Sequence, residues 1–147
     1  MNTTIDPNEI PRGFATCYVP DCPLAETCLR HLAYDMVEGE YPFMTVLSPK
    51  WKARQKGPCQ YYLKNERVRR ARGFIRTLNA IPAGKTATFR IGIMSHMGAR
   101  RYYQARKGEI LLKPTEEQLV IRLANRCGVV LDEYFDSHEE LLLWNNE

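Results

Sequence analysis

The chain has 147 residues, 44% of them apolar, and a formal net charge of +4, which is enough for one compact domain or two very small ones. No apolar run is longer than three or four residues, Ile110–Leu112 and Leu141–Trp144 being examples, so no segment reads as a membrane-spanning helix. The start, MNTTIDPNEIPRGF, lacks the basic head and apolar core of a secretory signal. The expectation is a soluble, cytoplasmic protein, in which an odd count of five cysteines argues against a disulfide framework.

Residues 1–16 read as an irregular lead-in, broken by Pro7, Pro11 and Gly13. From about Glu26 the pattern turns helical: Leu29, Leu32, Ala33, Met36 and Val37 fall on one face, with Gly39 as a stop. Phe43–Leu47 reads as a short strand ended by Pro49, and residues 50–60 as a basic loop. Asn65 is placed to cap a helix over Glu66–Asn79. Val68, Ala71, Phe74, Ile75 and Leu78 share one side of it, and Arg69, Arg72 and Arg76 the other. Residues 86–107 predict a helix to about Met94, a turn near Ser95–Gly98 and a second helix to Lys107, closed by Gly108. Thr115 with Gln118 forms a capping box for a helix in which Val120, Leu123, Ala124 and Cys127 share a face, stopped by Gly128. Ser137 with Glu140 reads as a second capping box, opening a last short helix through Leu141–Trp144.

Two features carry chemistry. The first is CYVPDCPLAETCLRH, residues 17–31. Cys17 and Cys22 flank a Val-Pro-Asp turn, and Cys28 and His31 sit i, i+3 at a helix start, where free amides favour a thiolate. Cys59, after a Gly-Pro turn, competes with His31 as fourth ligand. The ligand set expected is Cys17, Cys22, Cys28 and Cys59, with His31 as rival. Zinc is the metal expected, an iron–sulfur cluster is the alternative, and plain buried cysteines are the reading without metal. Cys127, on an apolar helix face, reads as a core residue.

The second feature is the layout of charge. Residues 1–49 carry two basic and seven acidic side chains, residues 50–107 sixteen basic and only Glu66 acidic, and residues 108–147 three basic and nine acidic. Either the acidic flanks fold back on the block as ion pairs, or the block faces a polyanion. Arg69, Arg72, Arg76, Arg100, Arg101, Gln104, Arg106 and Lys107 are the expected nucleic-acid contacts, because guanidinium holds phosphate and an amide can read adenine. Tyr102 and Tyr103 read as one core and one surface ring. An acidic protein is the alternative partner. No recognisable motif frames His31, His96 or His138 as a catalytic group, so no catalytic residue is assigned.

Three resemblances bear on these features. Residues 17–31 resemble a CCCH-type zinc finger, with His31 after two intervening residues where that pattern has three. TFRIGIMSHMGARRYYQARKGEILLKPTEEQLVIRLANRCGV resembles the helix-turn-helix of Cro/repressor-type DNA-binding domains. That likeness implies a first helix over Thr86–Met94, a recognition helix to Lys107, and Ser95, His96, Arg100, Arg101 and Gln104 toward the groove. The whole chain resembles an uncharacterised family of short bacterial proteins with a Cys-rich N-terminus. The combined expectation is a mainly helical α+β protein. A Cys-rich subdomain over 1–63 packs on a basic helical subdomain over 64–147, or the two form one compact domain. The function expected is that of a bacterial regulatory or accessory factor that binds nucleic acid.

Overall fold

The computed structural model describes residues 3–146. Among the described residues six α-helices and two strands form, in the order α1 (Leu29–Val37), α2 (Pro49–Arg54), β1 (Arg67–Arg72), α3 (Ile75–Ala80), α4 (Thr86–Met97), α5 (Ala99–Lys107), α6 (Pro114–Arg126) and β2 (Ser137–Leu142). β1 and β2 pair as a two-stranded antiparallel sheet. The protein is therefore α+β and mainly helical. No helix among the described residues is long and apolar enough to cross a membrane. The chain divides into two compact units, Met1–Val68 with Leu142–Glu147, and Arg69–Leu141.

In the first unit the apolar core is small. Ile5, Leu29, Leu63 and Leu142 are buried together, with Phe14 and Trp144 packed edge-to-face at 5.1 Å beside them. α1 forms where its apolar period predicts, burying Leu29 and Ala33. The strand expected over Phe43–Leu47 does not form. Only Val46 pairs, in a single parallel bridge to Thr16, and Phe43 stays 91% exposed. Pro49 opens α2 instead of ending a strand. The Ser48 hydroxyl accepts from the Trp51 amide (3.3 Å), and a proline loses nothing in the first turn, where its missing N–H would have had no partner. The basic loop expected over 50–60 thus begins as helix.

The second unit has the larger core, with Phe74 between Phe89 (6.3 Å) and Tyr102 (5.9 Å). α4 and α5 form as predicted, but α4 runs on to Met97, so the turn contracts from Ser95–Gly98 to Gly98 alone. Gly92 has no side chain to hold α6 away. A Cβ there would stand 3.0 Å from Leu123 Cδ1. α6 buries Val120 and Ala124, Cys127 just beyond it is also buried, and Leu123 packs against them, as its period predicts. Its cap differs from expectation. Lys113, not Thr115, precedes the helix, and the Lys113 amide donates to Glu116 (2.8 Å).

The helix expected over Glu66–Asn79 is the main correction. Residues 67–72 are strand β1, Gly73 turns with φ +70°, and only Ile75–Ala80 are helical. Non-local hydrogen bonds decide this. The Ala71 amide donates to the Glu117 carboxylate (2.9 Å), and the Ala71 carbonyl accepts from the Leu112 amide (2.9 Å). On its other edge β1 pairs with β2, so Ser137–Leu142 is strand and not the capped helix expected there. Asn65 caps nothing here. Its side-chain amide donates to Thr3 O (2.9 Å). The first amides of α3 are instead capped from across the chain, Ile75 and Arg76 each donating to Asp136 at 2.9 Å.

Candidate metal centre and basic surface

Residues 17–22 form the first wall of a small cavity in the first unit. Cys17 is anchored by its amide, which donates to Arg30 O (2.9 Å). Asp21, at φ +56°, turns the chain so that Cys22 comes back toward Cys17. Aspartate tolerates this left-handed conformation better than most side chains. Cys28 sits directly before α1, and its thiol caps no helix amide. Cys59 arrives from a segment that follows Gly57 (φ +85°) and closes with Tyr62 N donating to Cys59 O (3.2 Å).

Arg30 ties these segments together. Its Nε donates to Tyr61 O (2.9 Å) and its Nη1 to Ala15 O (2.6 Å). A run of backbone contacts continues the clamp. Leu29 N donates to Leu63 O (2.7 Å), Asn65 N to Thr27 O (2.9 Å), and Cys28 bridges Lys64.

All four expected ligands, Cys17, Cys22, Cys28 and Cys59, line one cavity of ≈ 20 Å³, and the rival His31 lines it too. Arg30 and Lys52 also line it, and no Asp or Glu does. All five cysteines of the chain are free thiols. Burial pushes the Cys17 thiol up. A hydrogen bond from the Val19 backbone works against this, and the neighbouring Cys28, Cys22 and Cys59 add to the rise. As they stand, no three His, Cys, Asp or Glu side chains among the described residues are arranged to hold a metal ion. Cys127 is buried in the second unit's core, as its place on the helix predicts.

The basic residues part into two groups. Arg72 is drawn into structure: Nε donates to Glu139 (2.8 Å) across the sheet and Nη1 to Gly108 O (3.0 Å). Arg101 pairs with Glu116, its Nη2 at 2.8 Å, and Arg67 with Glu9 at 3.0 Å. The acidic flanks thus neutralise part of the block. Arg69, Arg76, Arg100 and Lys107 are exposed, and among the described residues none of them has a carboxylate within ion-pair distance.

α5 orders the rest of this surface. Tyr102 and Ala105 are buried, while Arg100, Tyr103 and Lys107 face solvent. The Arg106 guanidinium lies 5.2 Å from the Tyr103 ring and 5.9 Å from that of Tyr102. Tyr102 is wholly buried and Tyr103 42% exposed, one core ring and one surface ring. Burial raises the Tyr102 hydroxyl, and Arg106 and Arg90 offset only part of the rise. Arg90, exposed on α4, therefore belongs to the same cationic neighbourhood. Its sequence position concealed this, since only the fold-back at Gly98 brings α4 beside α5. Gln104 is half-buried, and Ser95 and His96 are exposed on the last turn of α4, with His96 Nδ1 3.0 Å from Gly92 O.

The fold and site define a small α+β protein with a thiol-lined cavity in one unit and an arginine–tyrosine surface in the other. The chain belongs to the family of unknown function (DUF6078), whose model matches residues 1–144. Comparison with curated proteins and with solved structures finds no match.

Proposed function

We propose that the protein binds nucleic acid through the exposed side of α5, as a regulatory or accessory factor. The observation that carries this is the pairing of Arg100 and Lys107, exposed and with no carboxylate partner among the described residues, with the Arg106 guanidinium stacked over the half-exposed Tyr103. Cations without an internal counter-charge favour phosphate, and an exposed ring held by a guanidinium offers a stacking platform. Arg69 and Arg76 extend the set, and Arg90 joins it from α4. Gln104 stands beside them as the residue that could read a base edge. Arg72 and Arg101 serve the fold through Glu139 and Glu116 and are left out. The α4–Gly98–α5 pair takes the place of the helix-turn-helix, with α5 as the helix that docks.

The test is titration of the full chain onto labelled duplex DNA and onto labelled single-stranded RNA over a range of salt. On duplex, log K falls with log salt by ~0.9 per phosphate contact, and on single strands by ~0.7. Arg100→Ala and Lys107→Ala each lower that slope by about one contact, whereas Arg72→Ala leaves it unchanged. Absence of binding at low salt, or a slope indifferent to Arg100 and Lys107, would refute the reading. Tight, salt-resistant capture of one acidic protein in place of nucleic acid would point to the competing partner.

A further inference from the structure

We propose that Cys17, Cys22, Cys28 and Cys59 bind one zinc ion as a closed four-thiolate structural centre, with His31 outside the ligand set. Three independent features support this. The first is convergence. Four thiols from segments up to forty-two positions apart, from 17 to 59, line a single cavity, although the chain forms no disulfide among them.

The second is size and charge. A cavity of ≈ 20 Å³ has room for one atom-sized guest, since a single water needs ~10–15 Å³. Four thiolates on a dication leave a net negative charge, and the lining supplies Arg30 and Lys52 with no carboxylate to add to the repulsion. Four thiolates complete a tetrahedral zinc shell, which leaves His31 outside it.

The third is need. Among the described residues the apolar cluster of the first unit joins four buried side chains, against fourteen in that of the second. A unit with so little burial wants a cross-link, and a metal joining three segments provides one. With four protein ligands no position stays open for a reacting water, so the centre organises the unit and does not catalyse. Closing onto the ion takes rotation of the thiols toward the Zn–S distance of ~2.3 Å. Their backbones are already held by Arg30 and by the turns at Asp21 and Gly57.

The experiment uses the full chain, purified under reducing conditions without chelator, and reads metal alone. The expected result is about one zinc per chain. Stripped protein titrated with Co²⁺ then develops the intense visible ligand-field bands and the sulfur-to-cobalt charge transfer of a tetrahedral thiolate site. Chelation lowers the melting temperature, and Zn²⁺ restores it. Cys59→Ser and Cys22→Ser lose the metal, while His31→Ala and Cys127→Ala keep it. Should the cysteine variants fail to fold, the metal content and cobalt spectrum of the unaltered chain decide. Protein that carries no zinc and gives no thiolate–cobalt spectrum overturns the proposal. So does a brown protein with iron–sulfur absorbance, or loss of metal in His31→Ala with retention in Cys59→Ser. None of these readouts involves nucleic acid, so the centre can fail while the basic surface stands, and the reverse.

Discussion

Glu116 offers a direct test of how the second unit is held. Its carboxylate accepts from Arg101 Nη2 (2.8 Å) and from the Lys113 amide (2.8 Å), and its side chain is only 12% exposed. Glu116→Ala removes both. A lost helix-start acceptor costs ~1 kcal/mol. The charged pair costs a further ~1–2 kcal/mol, held to the low end because Arg101 is 34% exposed. The sum is about 2–3 kcal/mol. Glu116→Gln keeps one acceptor for the amide and loses about half of that. Thr115→Ala, at the position the sequence alone nominated as cap, changes stability by less than ~0.5 kcal/mol.

The pH dependence follows from the same site. Burial pushes the Glu116 carboxyl up, but Arg101 and the Lys113 amide outweigh it, and the group lies below its ordinary value of 4.5. A folded value below the unfolded one means stability present above pH ~4.5 and lost as pH falls through the folded value. Urea unfolding of the parent chain and the three variants, at neutral pH and at steps below pH 5, reads all of this. A Glu116→Ala deficit that is small, or that fails to shrink on acidification, would refute the assignment, as would a large loss in Thr115→Ala.

Gly73→Ala loses about 2 kcal/mol or more, because φ is +70° and a Cβ would stand 2.5 Å from Asp136 Oδ2, whereas Gly84→Ala, with open space around it, changes thermal stability little. Asp136→Ala strips the acceptor from Ile75 and Arg76 and costs ~1–2 kcal/mol, read by the same melts. Phe74→Ala, which empties the ring cluster with Phe89 and Tyr102, costs ~3–5 kcal/mol by urea unfolding.

Much of the second unit is written locally. The periods of α5 and α6, the stops at Gly108 and Gly128, and the burial of Cys127 depend on neighbours three or four residues away, so local order was enough to foresee them. The crowding of cations into one stretch was equally plain from the order of residues. That Arg67–Arg72 is strand was settled by contacts with distant parts of the chain. Its helical period is sound, but the groups that satisfy its backbone, Glu117 and Leu112 and the β2 ladder, lie about forty to seventy positions further on. The same distance hid the cap that Asp136 gives α3, and the pairs that take Arg72 and Arg101 out of the exposed set. Cys59 and its rival His31 were both named from the sequence, and both line the cavity with Cys17, Cys22 and Cys28. Periodicity and capping act within a turn or two of chain. Hydrogen bonds and charges choose whichever partner the fold brings near, and where that partner is distant in sequence the local pattern gives way to it.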